Sequence, residues 1–252
     1  MKRLVCTTFF LMVCVVPVFA GTDPRVQQLL ITAEQQANLL GGQAGPFRLE
    51  VDFAVVMGKA VPGHLELKWE AKDRWWRRVE MNGFRQTEIR LGDKIYTARN
   101  ADFTPAGVKE LLNLLGFAEE KVDRGAMTVQ EQSKRRENGE SADCLKGELT
   151  RFNNEQHEVC VSRDGHEILS DDWKESGDQR RREAFAGYMA FGQYRFPSRL
   201  ELELNGRKIV TASVTSLAAT AFDESLLAPL QQHESVPEIQ EAPADSLTAT
   251  KN

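Results

Sequence analysis

The sequence predicts a mainly β protein with one or two amphipathic helices (α+β), its strands antiparallel and consecutive. Three observations point there. Apolar and charged residues alternate over most of the chain, most clearly where Leu200, Leu202 and Leu204 are separated by Glu201 and Glu203. Successive strand side chains point to opposite faces, so this alternation gives each strand one greasy face and one wet face. Turn dipeptides separate the alternating runs, above all Asn205-Gly206, because asparagine and glycine tolerate the positive φ of a two-residue hairpin. Two other segments repeat their apolar residues at helical spacing, each opened by a proline.

In chain order, Met1 to Ala20 has a basic start (Lys2, Arg3), an apolar run from Leu4 to Val16, and Val18-Phe19-Ala20 before Gly21. This is the pattern of a cleaved secretory signal peptide. The run is short for a membrane span, and no other transmembrane candidate follows, so the expected location is the periplasm. Cys6 and Cys14 leave with the leader, and Cys144 and Cys160 remain. An even pair in an exported chain reads as a disulfide.

The mature chain is read as one β domain from 21 to 230 and a tail from 231 to 252. Asp23 caps the first helix and Pro24 opens it. Val26, Leu29, Leu30, Ala33, Ala37 and Leu40 share one face, and Gly41-Gly42 stops the helix. Strands follow at Phe47–Val55, Leu65–Ala71, Arg74–Met81, Thr87–Leu91 and Lys94–Ala98, with turns at Pro62-Gly63, Lys72-Asp73, Asn82-Gly83 and Gly92-Asp93. Neighbouring strands of this kind form a meander with one buried face. Thr104-Pro105 starts a second helix, whose stripe is Val108, Leu111, Leu112 and Leu115 and whose stop is Gly116.

Met127–Gln132 resumes strand structure before a charged turn at Ser133–Gly139. Leu145–Thr150 can pair with Glu155–Val161 around an Asn153-Asn154 tip, which sets Cys144 opposite Cys160. A bridge there closes a loop of about 15 residues, worth roughly 3 kcal/mol in the chain-entropy model. After Asp164-Gly165 come a strand at His166–Asp172, a polar loop at Trp173–Arg182, and a strand or loop to Tyr194 before a Phe196-Pro197 corner. The Asn205-Gly206 hairpin closes the sheet. The tail, poor in large apolar residues, is expected to be disordered.

Chemistry is sparse. His64, His157, His166 and His233 sit in no metal-ligand spacing, and no metal or cofactor is expected. No nucleophile elbow, phosphate loop or dinucleotide fingerprint is present. Asp171-Asp172 and Arg180-Arg181-Arg182 read as charged loops. A net charge of −5, or −7 without Lys2 and Arg3 of the leader, gives no electrostatic reason to bind nucleic acid. Trp75-Trp76 must point to opposite faces of their strand, one toward the core or a pocket.

The order of elements carries a resemblance. The run from Leu65 through Asn82-Gly83 to Gly92-Asp93-Lys94-Ile95-Tyr96 is one part of it. The others are Tyr194-Arg195-Phe196-Pro197-Ser198-Arg199-Leu200 and Phe222-Asp223-Glu224-Ser225-Leu226-Leu227-Ala228-Pro229. Together they resemble the LolA/LolB-like lipoprotein carriers. That likeness implies an antiparallel half-open β-barrel wrapped around helices, with an apolar cavity. The expectation is a non-enzymatic envelope protein that binds a lipid or the acyl chains of a lipoprotein. Phe53, Trp69, Trp75, Leu111 and Leu112 would be wall residues and the second helix a lid.

A narrower likeness lies in the Cys144–Cys160 hairpin followed by Val161-Ser162-Arg163-Asp164-Gly165. It resembles the exported N-terminal region of acidobacterial TonB-type proteins, without their C-terminal TonB domain. It implies an alternative, a cell-envelope interaction module that engages a protein partner and has a filled core. An enzyme would instead need convergent polar residues in one cleft, such as His157 with Asp171.

Overall fold

The computed structural model describes residues 24–41, 44–117, 123–149, 155–174 and 179–228. The leader, the Asp23 cap, the Asn153-Asn154 tip and the tail from 231 onward lie outside the described residues. Helix α1 (Pro24–Ala37) precedes strands β1 (Phe47–Met57), β2 (Lys59–Ala71), β3 (Arg74–Met81), β4 (Phe84–Leu91) and β5 (Lys94–Arg99). Helix α2 (Ala106–Leu114) and a 3-10 turn (Arg124–Ala126) lead to β6 (Thr128–Glu137), β7 (Glu140–Leu149), β8 (Glu155–Ser162) and β9 (Ile168–Lys174). Strands β10 (Arg180–Phe191), β11 (Tyr194–Leu204) and β12 (Arg207–Ala219) and a last 3-10 turn (Glu224–Leu227) complete the order.

All twelve strands form one sheet in the order β5-β4-β3-β2-β1-β12-β11-β10-β9-β8-β7-β6. Each pairing is antiparallel, and all but one join strands adjacent in sequence. The exception is β1 with β12, where Phe47 lies opposite Ala219 and Val55 opposite Val210. The sheet is therefore two meanders joined at one seam. Strands β5 and β6 end the sheet without pairing to each other, which leaves the barrel half open, as expected.

The turn chemistry is where the sequence places it. Asn82-Gly83 and Asn205-Gly206 adopt φ of 43° and 80°, and of 51° and 72°, the pair of positive values that a tight hairpin requires. Other boundaries move. Pro62-Gly63 is no turn but lies inside β2, with Gly63 opposite Phe53. The bend is at Gly58, with φ 84°. Glycine is needed at 63 for another reason: a Cβ there would overlap the Phe53 ring. Strand β6 runs through the expected charged turn, and Asn138-Gly139 makes the bend (φ 50° and 87°). Its charged side chains suit an edge strand, where they discourage pairing with other chains.

The expected loop at Trp173–Arg182 is strand at both of its described ends. Trp173 and Lys174 end β9, and Arg180–Arg182 begin β10. The stretch is polar because its charges pair with each other. Arg180 and Arg182 reach Asp172 at 2.9 and 2.8 Å on the outer face, and Arg182 also meets Glu137. Asp171 and Asp172 are correspondingly buried, at 0% and 4% exposure, not in a solvated loop. Pro197 sits inside β11 at Tyr188 of β10, before β11 begins to pair with β12 at Arg199, so its missing N–H costs that ladder nothing. Thr104 does not cap α2; its hydroxyl bonds Gln86, and Pro105 holds the cap position.

The inner face of the sheet and the two helices make one core. Phe47, Leu49, Val51, Phe53, Val55, Leu65, Leu67 and Trp69 pack with Val26, Leu30 and Ala33 of α1 and Val108 and Leu111 of α2. Each Val, Leu or Phe among them contributes about 1.5–3 kcal/mol by leaving water. Gly107 lets α2 lie directly on β1, because a Cβ there would overlap Val55. The outer face has two covers of its own. The Cys144–Cys160 disulfide joins residues directly opposite across β7 and β8. The last 3-10 turn folds back so that Leu227 covers Trp76 and Ile89, with Arg74 bound to Glu224 and its guanidinium 5.5 Å over Phe222. Among the described residues, no helix is long and apolar enough to cross a membrane.

Candidate functional site

Helix α1 packs on β8, β9, β11 and the Arg124–Ala126 turn, whereas α2 packs on β1, β11 and β12. Between the C-terminal ends of the two helices and the inner face of the sheet lies a cavity of about 290 Å³. That is at the lower edge of the roughly 300–1,000 Å³ typical of small-molecule sites. Most of its wall is apolar: Ala37, Leu39 and Leu40 at the end of α1, Leu114 and Leu115 at the end of α2, and Ile168, Phe185, Phe196 and Leu200 from the sheet. Tyr188 also lines it, with its hydroxyl donating to the carbonyl of Ile168.

One end of the cavity is charged. Glu34, Arg124, Trp173, Arg181 and Glu183 form it. Strand geometry places them: Asp171 and Trp173 alternate inward on β9, and Arg181, Glu183 and Phe185 inward on β10. Asp171 stands opposite Glu183, and Trp173 opposite both Arg181 and His157. Arg124 clamps the cluster. Its Nε donates to Asp171 Oδ2 at 2.7 Å, its Nη2 to Glu183 Oε2 at 3.0 Å, and its Nη1 lies 3.5 Å from Glu34 Oε2. Arg181 donates from Nη2 to Glu110 Oε2 of α2 at 2.7 Å, and its guanidinium lies 5.3 Å from the Trp173 ring. On the other side of Trp173, His157 stacks at 5.1 Å and bonds Asp171 through Nδ1 at 2.8 Å.

The electrostatics of these groups differ. Burial alone would push the Asp171 carboxyl up, but Arg124 and the His157 hydrogen bond outweigh it and hold Asp171 below the usual carboxylate range. Burial also works against the Arg124 cation, yet Asp171, Glu34 and Glu183 raise its pKa above the ordinary arginine value. Glu183 goes the other way. Burial pushes its carboxyl up, Asp171 and Glu110 add repulsion, and Arg124 and Arg181 compensate only in part, so it titrates at about 7.

The five expected wall residues lie elsewhere in the same layer. Phe53, Trp69, Trp75, Leu111 and Leu112 are all buried in the packed core, and none borders the 290 Å³ cavity. Trp69 stacks on Phe47 at 6.0 Å. Trp75 points inward beneath Arg77, 5.0 Å from its ring centroid, while Trp76 points outward beneath Lys68, so the pair straddles the sheet as its spacing requires. Cys144 and Cys160 form the expected disulfide.

His157 and Asp171, named as the mark of an enzyme, are hydrogen-bonded. They are 1% and 0% exposed, and neither is among the residues lining the cavity; Asp171 also accepts from Arg124. Arg124, Arg181 and Glu183 were not among the expected site residues. Arg181 and Glu183 share the inward parity of Phe185 on β10, which marks a face but not their partners, and Arg124 lies in a 3-10 turn outside any strand pattern. Among the described residues, Glu137 with Cys144 and Cys160 are the donor atoms close enough to share a metal ion, and the disulfide occupies both sulfurs.

No family model matches the chain, and no curated protein matches it in sequence. Solved structures do. An outer membrane lipoprotein-sorting protein domain from Vibrio parahaemolyticus aligns with a TM-score of 0.54 at 10% identity, over 82% of this chain and 98% of that one. A DUF1329 family protein from Desulfovibrio piger aligns with a TM-score of 0.53 at 12% identity, over 81% of this chain and 97% of that one. These likenesses establish the fold: it is the LolA-like, half-open antiparallel barrel around helices.

Proposed function

We propose that the protein is an exported, non-enzymatic carrier that works in the periplasm and holds an apolar ligand, a lipid or the acyl chains of a lipoprotein. The apolar cavity between the helix ends and the inner face of the sheet carries this reading. The Vibrio domain of the same fold, named for lipoprotein sorting, supports it. A ligand chain would bind by burying methylenes, at about 0.8 kcal/mol each. Helix α2 is the lid. It is a nine-residue element, and Gly116 just beyond its Leu115 cap has a φ of 86° that turns the chain away. Lifting α2 would carry Leu111 and Leu112 with it and extend the wall toward Phe53, Trp69 and Trp75. A completely filled layer would have favoured the envelope interaction module; the cavity favours the carrier.

The test is native mass spectrometry of the mature chain purified without detergent, followed by organic extraction. The expected result is a co-purifying lipid or acylated peptide. Ala37→Trp, which fills the cavity from a half-buried position, should remove it. A bare mass that stays bare after lipid is added would replace the carrier with the interaction module.

A further inference from the structure

The charged end of the cavity has a sign. Among the described residues of its network, the carboxylates are Glu34 of α1, Glu110 of α2, Asp171 of β9 and Glu183 of β10. The guanidiniums are Arg124 and Arg181. His157 of β8 also titrates, its Nδ1 on Asp171 and its Nε2 3.8 Å from Glu155, and the Tyr188 hydroxyl donates to the carbonyl of Ile168. Four acids thus face two arginines, and neither arginine is turned to the cavity alone. Arg124 spends Nε, Nη1 and Nη2 on three separate carboxylates, and Arg181 donates to Glu110.

Glu183 is where the imbalance meets the cavity. Its side chain borders the empty space and is only 8% exposed. One oxygen, Oε2, accepts from Arg124 at 3.0 Å. The other, Oε1, stands 3.8 Å from Arg181 Nη2, beyond hydrogen-bond reach. A buried carboxylate oxygen that borders an apolar cavity favours a donor or a cation next to it. A second carboxylate brought there would be repelled by four acids, and each arginine already pairs with at least one of them.

We propose that the cavity takes an amphiphile whose alkyl chain lies along Leu40, Leu115 and Phe196 and whose head is a hydrogen-bond-donating cation, in the simplest case an ammonium group set against Glu183, in preference to chains ending in a free carboxylate or phosphate. This rests on the carrier reading and narrows it. The elevated titration of Glu183 agrees with it: above pH 7 the carboxylate is charged and holds an ammonium, whereas at lower pH it supplies its own proton and the preference fades.

The experiment is isothermal titration calorimetry of the mature chain at pH 8 with decylamine, decanol and decanoate, each below its aggregation concentration. Decylamine should bind about tenfold or more tighter than decanoate, a difference of about 1.4 kcal/mol, with decanol between them. Glu183→Gln should bring decylamine to the affinity of decanol. Glu34→Gln, a milder change at the same end of the cavity, should narrow the preference in the same direction if the first variant folds poorly. Decanoate binding as tightly as decylamine, or an amine preference untouched in both variants, would overturn the inference and leave the carrier standing. Failure of all three chains to bind the folded protein would overturn both.

Discussion

The two halves of the inner face obey different rules. On β1 and β2 it is hydrocarbon and aromatic: Phe47, Val51, Phe53, Leu67 and Trp69 belong to one packed core. On β8 to β10 the same face carries His157, Asp171, Arg181 and Glu183, and the layer beside them is partly empty. Apolar side chains close-pack without direction. A buried ion network demands fixed geometry and cannot collapse to fill a gap. The charged half therefore keeps an opening that the apolar half cannot, and one sheet combines a rigid core with a site.

That contrast can be broken by mutation. Phe47→Ala removes a ring stacked on Trp69 and edge-on to Phe191 and should cost about 3–5 kcal/mol. The loss should be the same at pH 5 and pH 8. Arg124→Ala should also cost about 3–5 kcal/mol at pH 8, because Asp171, Glu183 and Glu34 lose their shared cation. Its loss should shrink at pH 5, where Glu183 takes up a proton. Urea unfolding at the two pH values measures both, and a pH-independent loss in Arg124→Ala would erase the distinction between the halves.

A smaller effect concerns the outer side of the charged half. Reducing Cys144–Cys160, 16 residues apart, should lower stability by roughly 3 kcal/mol without changing the cavity. Unfolding with and without reductant, alongside a ligand titration, separates the two. The subtlest prediction is a slope. Folded Glu183 titrates at about 7 and its ordinary value is 4.5, so the folded state holds a proton that the unfolded state has released. Stability should fall as pH rises from about 4.5 to about 7, by at most about 3 kcal/mol from this group. Glu183→Gln should flatten that fall, and a slope unchanged in the variant would show that Glu183 is not its source.

Much of this was legible in the chain. Alternation at Leu200, Leu202 and Leu204, the Asn-Gly turns, both helical stripes and the facing cysteines all came through, because each depends on near neighbours. The shape of the half-open barrel came from resemblance. The charged end of the cavity was not legible. Arg180-Arg181-Arg182 reads as a solvated run unless one knows that Asp172 and Glu137 lie on one side of it and Glu110 on the other. Those partners are 8 to 71 residues away, and local pattern carries no trace of them. The five expected wall residues stand away from the cavity for a related reason. The largest apolar side chains, Trp69 and Trp75, fill space, and a cavity forms where helices end.

The seam between β1 and β12 has a consequence for how the molecule assembles. Phe47 must find Ala219, and between them lie all the other strands. Until Arg207–Ala219 joins the sheet, β1 has β2 on one side and an unpaired edge on the other. That long-range closure is the slow kind of contact to make, and the waiting edge is a template for wrong partners. A chain cut just before β12 keeps β1 to β5 and β6 to β11 but cannot join them, so the last strand decides whether there is one body or two.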